Sequence, residues 1–172
     1  KVTDLGLASV NVVTTAGVNF IVDAFQNLVE LELMKFHGIG TSSAAESIAD
    51  TALGTELTTQ YNPDNTRATG SLTEGATANV YRTIGTNTVD SAVSITEHGI
   101  FTQAATGGGT LLDRSIFTAI ALANGDSLQS TYDLTVVAGG VCKRPGFGWL
   151  YDGLETVDST NSFAKENADE IG

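Results

Sequence analysis

The sequence predicts an all-β protein: an antiparallel β-sandwich of jelly-roll-like type, with an N-terminal helix and extended N- and C-terminal arms. Three observations carry this expectation. Residues 93–101, 111–120 and 127–137 alternate apolar and polar side chains, which places successive side chains on opposite faces of a pleated strand. In the last of them Leu128, Tyr132, Leu134 and Val136 fall on one face, and Gln129, Thr131, Asp133 and Thr135 on the other. Between the segments, Gly107-Gly108-Gly109 and Asn124-Gly125-Asp126 supply the residues that reverse a chain, so the three read as an antiparallel meander. The composition agrees: the chain is rich in Thr, Gly, Ala and Val and has only 2 prolines.

Taken in order, residues 1–15 are small and polar with scattered Val and Leu, and predict an arm with a short strand near 10–13. Thr15 is placed to cap a helix over about 16–28, where Val18, Ile21, Val22 and Phe25 form one apolar stripe. That stripe either packs on the sheet or docks on a neighbouring subunit. Residues 28–36 mix Leu, Val and Glu in near alternation, which predicts a strand with an acidic edge. The Gly38-Ile39-Gly40 that follows lacks the third glycine and the lysine of a phosphate loop, so a bend or bulge in a strand is expected. Residues 42–51 predict a short helix, and 52–59 a return to strand. Tyr61-Asn62-Pro63-Asp64-Asn65 is a turn, without the spacing and closing Glu of a calcium loop. Residues 67–86 carry two more alternating pieces before the meander begins.

After Gly139-Gly140 the character changes. Turn residues interleave with Phe147, Trp149 and Tyr151, and then comes an acidic stretch, 152–172, rich in Ser and Asn and poor in apolar residues apart from Leu154, Val157, Phe163 and Ile171. So little apolar surface does not offset the entropy of ordering. The stretch is therefore expected either to fold back on its own domain or, as the favoured expectation, to be held by other chains. The division expected is an arm and helix over 1–33, a sandwich over 34–140 and a C-terminal extension over 141–172.

Charge and chemistry narrow the function. With 20 acidic against 8 basic residues, the net charge of −12 disfavours nucleic acid and anionic membranes, which require a basic footprint. No apolar run approaches the length of a membrane span and no secretory leader is recognisable, so no membrane role is expected. Cys142 is the single cysteine, which excludes an internal disulfide. In 93–101 the face bearing Val93, Ile95 and Phe101 also bears Glu97; in 111–122 the face bearing Leu112, Ile116 and Ile120 also bears Arg114. In a hairpin the two charges fall within a residue of being opposite, and an unpaired charge there is costly, so a partly buried Glu97–Arg114 ion pair is expected. A carboxylate pair of Glu97 and Asp113 for hydrolysis is disfavoured, because Asp113 alternates to the opposite face. His37 and His98 each precede Gly-Ile and lack a third ligand at metal-binding spacing, so a hydrogen-bonded histidine pair is expected and no metal or cofactor. No catalytic arrangement is legible, and the chain is not expected to be an enzyme.

Several short motifs in fixed order resemble small virion proteins of tailed bacteriophages, with some similarity to tail-collar and fibre-attachment modules. They are Lys35-Phe36-His37-Gly38-Ile39-Gly40-Thr41, Asp50-Thr51-Ala52-Leu53 with Thr55-Glu56, Ile95-Thr96-Glu97-His98-Gly99-Ile100-Phe101, Leu111-Leu112-Asp113-Arg114 and Gly125-Asp126-Ser127-Leu128, spanning roughly residues 34–138. The resemblance implies a virion sandwich that binds other virion proteins. The leading expectation is a capsid cement or decoration protein, a dimer or trimer that clamps major capsid subunits and acts in the virion; Phe147, Trp149, Tyr151 and Phe163 then serve either as interface anchors or as caps on the domain's own core. A tail or fibre-adaptor protein is the alternative, and a host-glycan-binding module a further one, with Trp149 and Tyr151 as its candidate aromatics.

Overall fold

A computed structural model describes residues 3, 5–9, 11–75, 77–136, 138–141 and 157–158. The protein is an all-β sandwich with one helix. Its elements are β1 (Val12–Val13), α1 (Thr15–Phe25), a 3-10 turn (Leu31–Leu33), β2 (Phe36–Gly40), β3 (Ala68–Thr69), β4 (Ser71–Glu74), β5 (Val80–Thr88), β6 (Val93–Phe101), β7 (Leu111–Leu122), β8 (Ser127–Thr135), β9 (Ala138–Val141) and β10 (Val157–Asp158). One sheet runs β1-β7-β6-β2-β3, a second β4-β5-β8, and β9 and β10 form a two-stranded sheet of their own. No helix among the described residues is long and apolar enough to cross a membrane.

The chain divides into two compact units. The first comprises residues 1–72 and 83–132 and holds the whole five-stranded sheet together with the facing parts of the second. Its core joins Ile39, Leu57, Tyr61, Val89 and Ile95, with Val93, Phe117, Leu122 and Leu128 packed against them. A smaller cluster joins Leu53 of the loop that follows β2 to Phe101 and Leu111, with Phe36 packed against it. The second unit comprises residues 73–82 and 133–172. In it β9 and β10 pair in parallel, and Arg82 binds Asp133 through Nε at 2.7 Å and Nη2 at 2.7 Å. That pair is solvated, and exposed ion pairs contribute little. Arg82→Ala is therefore expected to leave the melting temperature unchanged, as differential scanning calorimetry would show.

Several sequence expectations require correction. The meander divides: β6 and β7 form the expected hairpin, but β8 crosses to the other sheet and pairs beside β5. The alternation of β8 holds for Leu128, Tyr132 and Leu134, whereas Val136 lies past the strand end and is 51% exposed, and alternation does not say which sheet a strand joins. The helix is one residue out of phase. Thr14, not Thr15, caps it, accepting from the Gly17 N–H at 2.9 Å, and the buried face is Gly17, Phe20 and Ile21. Thr14 also ties the helix to the sheet, its N–H donating to Leu112 O at 2.9 Å and its hydroxyl to Leu111 O at 2.5 Å. Gly17 is what permits this closeness, because a Cβ there would meet the Leu112 backbone. In place of the strand expected over 28–36 there is a 3-10 turn at Leu31–Leu33, and only Phe36 enters a strand, as the first residue of β2; 42–51 form no helix, and 52–59 contribute only the isolated bridge from Glu56 to Gly40. The 61–65 turn forms as expected, with a cis peptide bond at Asn62–Pro63 and Asn65 at φ 54°.

Candidate functional site

β2, β6 and β7 lie side by side, with Gly38 opposite Gly99, Gly99 opposite Arg114, and Glu97 opposite Ile116. Glu97 and Arg114 meet, but as a diagonal pair two residues apart along β7, wider than the one-residue offset expected. Their burial is also greater than expected, the side chains being 0% and 3% exposed. Glu97 Oε2 accepts from Arg114 Nε at 3.0 Å and Nη2 at 2.9 Å. The same carboxylate accepts three backbone N–H groups of the 41–57 loop, from Ser42 at 3.1 Å, Gly54 at 2.9 Å and Thr55 at 2.7 Å. Arg114 spends its remaining donors on that loop too: Asp50 Oδ2 at 2.9 Å, Ala45 O at 3.3 Å and Ala44 O at 3.1 Å. Burial alone would lower the Arg114 pKa, but the bonds to Asp50 and Glu97 outweigh it and raise it. Gly40 makes room for this centre, since a Cβ there would stand 2.5 Å from Glu97 Oε1.

A second arginine repeats the device. Arg67, 1% exposed, binds Glu56 through Nε and Nη2, donates from Nη1 to Gln103 O at 3.0 Å and Gly108 O at 2.8 Å, and lies 3.5 Å over the centre of the Phe101 ring. Sequence reasoning missed this pair. Glu56 and Arg67 stand at opposite ends of an irregular loop, where no periodicity relates them. Tyr61, also missed, locks the same loop, accepting from Ile39 N–H at 2.8 Å and donating to Ile39 O at 3.3 Å. Long irregular backbone is thus held on the sheet by charge-assisted bonds in place of a ladder.

On the side facing the second sheet the interior is polar as well. His37 Nδ1 and His98 Nε2 are 3.0 Å apart and share a hydrogen bond, and His37 Nε2 is 3.2 Å from Thr83 Oγ1. The expected histidine pair is therefore present, but between the sheets. Burial pushes His98 down to about 4, and burial with the neighbouring His98 pushes His37 down to about 2, so both are neutral near pH 7. Asp113 lies 3.5 Å from the Tyr132 hydroxyl, and its Oδ1 has no hydrogen-bond partner among the described residues. Burial raises its pKa to about 8, with Glu46 adding to the rise and Tyr132 opposing it. Glu97 and Asp113 therefore serve opposite sides of the sheet, as alternation required, and do not form a carboxylate pair. Among the described residues no group of three or more His, Cys, Asp and Glu is placed to hold a metal ion.

The outside of the first unit contrasts with this interior. At the end of α1 and across the 3-10 turn, Phe25 is 76% and Leu28 68% exposed, and Val22, Leu31 and Leu33 are also exposed. Asp23, Glu30 and Glu32 lie among them in sequence. Half of the predicted helix stripe, Val22 and Phe25, therefore faces outward. The anchors Phe147, Trp149, Tyr151 and Phe163, and the greater part of the 141–172 extension, lie outside the described residues. Comparison with known proteins supplies no relative: the chain matches no family model, no curated protein and no solved structure.

Proposed function

We propose that the chain is a structural protein of a tailed-bacteriophage particle, a cement or decoration protein that self-associates as a dimer or trimer and binds major capsid subunits. The observation that carries this reading is the apolar outcrop of Val22, Phe25, Leu28, Leu31 and Leu33 on a sandwich whose buried charges are consumed in holding its own loops. Large apolar side chains gathered on a folded surface mark a place where another protein docks. The acidic residues beside them select a partner face with basic groups at its rim. A protein of this kind stabilises a particle because it binds the assembled state and not the separate subunits. A tail or fibre-adaptor protein would use the same face on a different partner. The protein content of purified particles tests the proposal: a copy number commensurate with the capsid subunits is expected, a copy number at the level of a tail ring would favour the adaptor, and absence from particles would overturn both.

A further inference from the structure

An outer strand of a sheet presents a row of N–H and C=O groups, and folded proteins guard such rows, because an open one is a template for pairing with another chain. In the five-stranded sheet the outer strands β1 and β3 are only 2 residues each. The part of β7 that runs past β1 is guarded in another way: its register against β6 shifts between Ile95 and Glu97, and its Ile116 N–H is taken by Glu46 Oε1 at 2.7 Å. In the three-stranded sheet β4 has 4 residues, but the other outer strand, β8, has 9 and carries no lysine, arginine or proline.

The open side of β8 follows from its bonded side. Val89 N–H donates to Asp126 O at 2.9 Å and Val136 N–H to Asn79 O at 2.9 Å. These bonds lie the same ten positions apart on both strands, from 79 to 89 and from 126 to 136, so the pairing with β5 keeps one register. Backbone groups alternate in direction along a strand, so those of Leu128, Ser130 and Tyr132 face β5, while the N–H and C=O groups of Ser127, Gln129 and Thr131 point the other way. Among the described residues no strand lies beyond them in the sheet and no backbone bond to a loop takes them up; all three residues are exposed. This stretch lies within the first unit.

We propose that β8 pairs with β8 of a second copy of this chain, antiparallel about a two-fold axis at Gln129, so that two three-stranded sheets join into one of six strands. The strand is complementary to itself in this register. Ser127 stands opposite Thr131 of the second copy, twice by symmetry, and the two Gln129 amides meet at the axis, where each donates to the other. Its acidic residues never face each other: Asp126 falls opposite Tyr132 of the second copy, and Asp133, already bound to Arg82, opposite Gly125. At a net charge of −12 two copies repel, so an edge whose outward residues 127, 129 and 131 are uncharged is where they approach most easily. This pairing is the self-association of the reading above, on which it rests, and it leaves the outcrop at the end of α1 free for another protein.

Sedimentation velocity and hydrogen exchange of the full-length chain test this. A dimer of twice the chain mass is expected at micromolar concentration, with the amides of Ser127, Gln129 and Thr131 slow to exchange. Gln129→Lys and Gln129→Glu, changes at an exposed position, are each expected to weaken the dimer about tenfold or more, because like charges then meet at the axis. The melting temperature of the monomer should be the same in both, and the three amides should exchange fast. Mixed in equal amounts, the two variants are expected to restore the dimer. A monomeric or trimeric parent chain, a dimer indifferent to both variants, a dimer that Gln129→Lys strengthens, or amides that stay protected in a monomeric variant would overturn the pairing. A monomeric chain that still binds capsid shells would overturn the pairing alone, whereas a Gln129-dependent dimer that ignores shells would uphold it and overturn the capsid reading.

Discussion

Arg114→Met is expected to destabilise the protein by about 3–5 kcal/mol, the cost of leaving a buried carboxylate without its partner. In a chain of this size that lowers the melting temperature by roughly 10 °C or more. The reason lies in what Glu97 has left. Without the guanidinium it retains three backbone N–H donors from the loop but no counter-charge, the Ala44 and Ala45 carbonyls lose their arginine donor, and Asp50 keeps only the Ser47 N–H. The 41–57 loop should therefore be released first, and its amides should exchange with deuterium faster than those of β6. Pairing Arg114→Met with Glu97→Gln is expected to restore part of the loss, because it removes the buried charge together with its partner. A melting temperature unchanged by Arg114→Met would mean that the clamp does not support the fold.

The second large effect is on the pH dependence. In the unfolded chain His37 and His98 take up protons near 6.5, whereas folded they resist until about 2 and about 4. Stability therefore falls as pH falls from 6.5 toward 4. Asp113 works in the opposite direction: unfolded it loses its proton near 3.8, and folded it retains it up to about 8. Its contribution is lost as pH rises through that window and is constant above it. Between 4 and 6.5 the two histidines outweigh the one aspartate; above 6.5, of these three groups, the aspartate alone acts. Stability is thus expected to fall on both sides of a near-neutral maximum, toward acid through the two histidines and toward alkali through Asp113. Urea unfolding at a series of pH values checks this. Asp113→Asn should remove the alkaline limb and leave the acid limb, and a stability that keeps rising through pH 8 in the parent protein would rule the account out.

How much of this was legible in the sequence depends on which physical signal carried it. Alternation identified β6, β7 and β8, and the charge on each apolar face pointed to Glu97 and Arg114, because a two-residue period puts those side chains among buried ones. The same alternation gave no information on the crossing of β8 to the other sheet. The helix was found, but its inner face was not. Val18, Ile21, Val22 and Phe25 form as good a stripe as Gly17, Phe20 and Ile21, and what decides between them is the close approach to Leu112 that only glycine allows. The 41–67 region was the least legible. It is held by Asp50, Glu56, Arg67 and Tyr61 across separations that obey no period, so its folded course is decided by tertiary bonds and not by local preference.

The proposal that this molecule works by gripping other proteins through the end of α1 is tested most directly by co-sedimentation. The labelled full-length chain, and a Phe25→Ser, Leu28→Ser variant of it, would be mixed with assembled capsid shells and with free capsid subunits from the same particle. The parent chain is expected to pellet with shells and not to associate with free subunits, while the variant, folded by its circular dichroism, remains in the supernatant. Equal retention of the two chains, or retention of neither, would contradict the account.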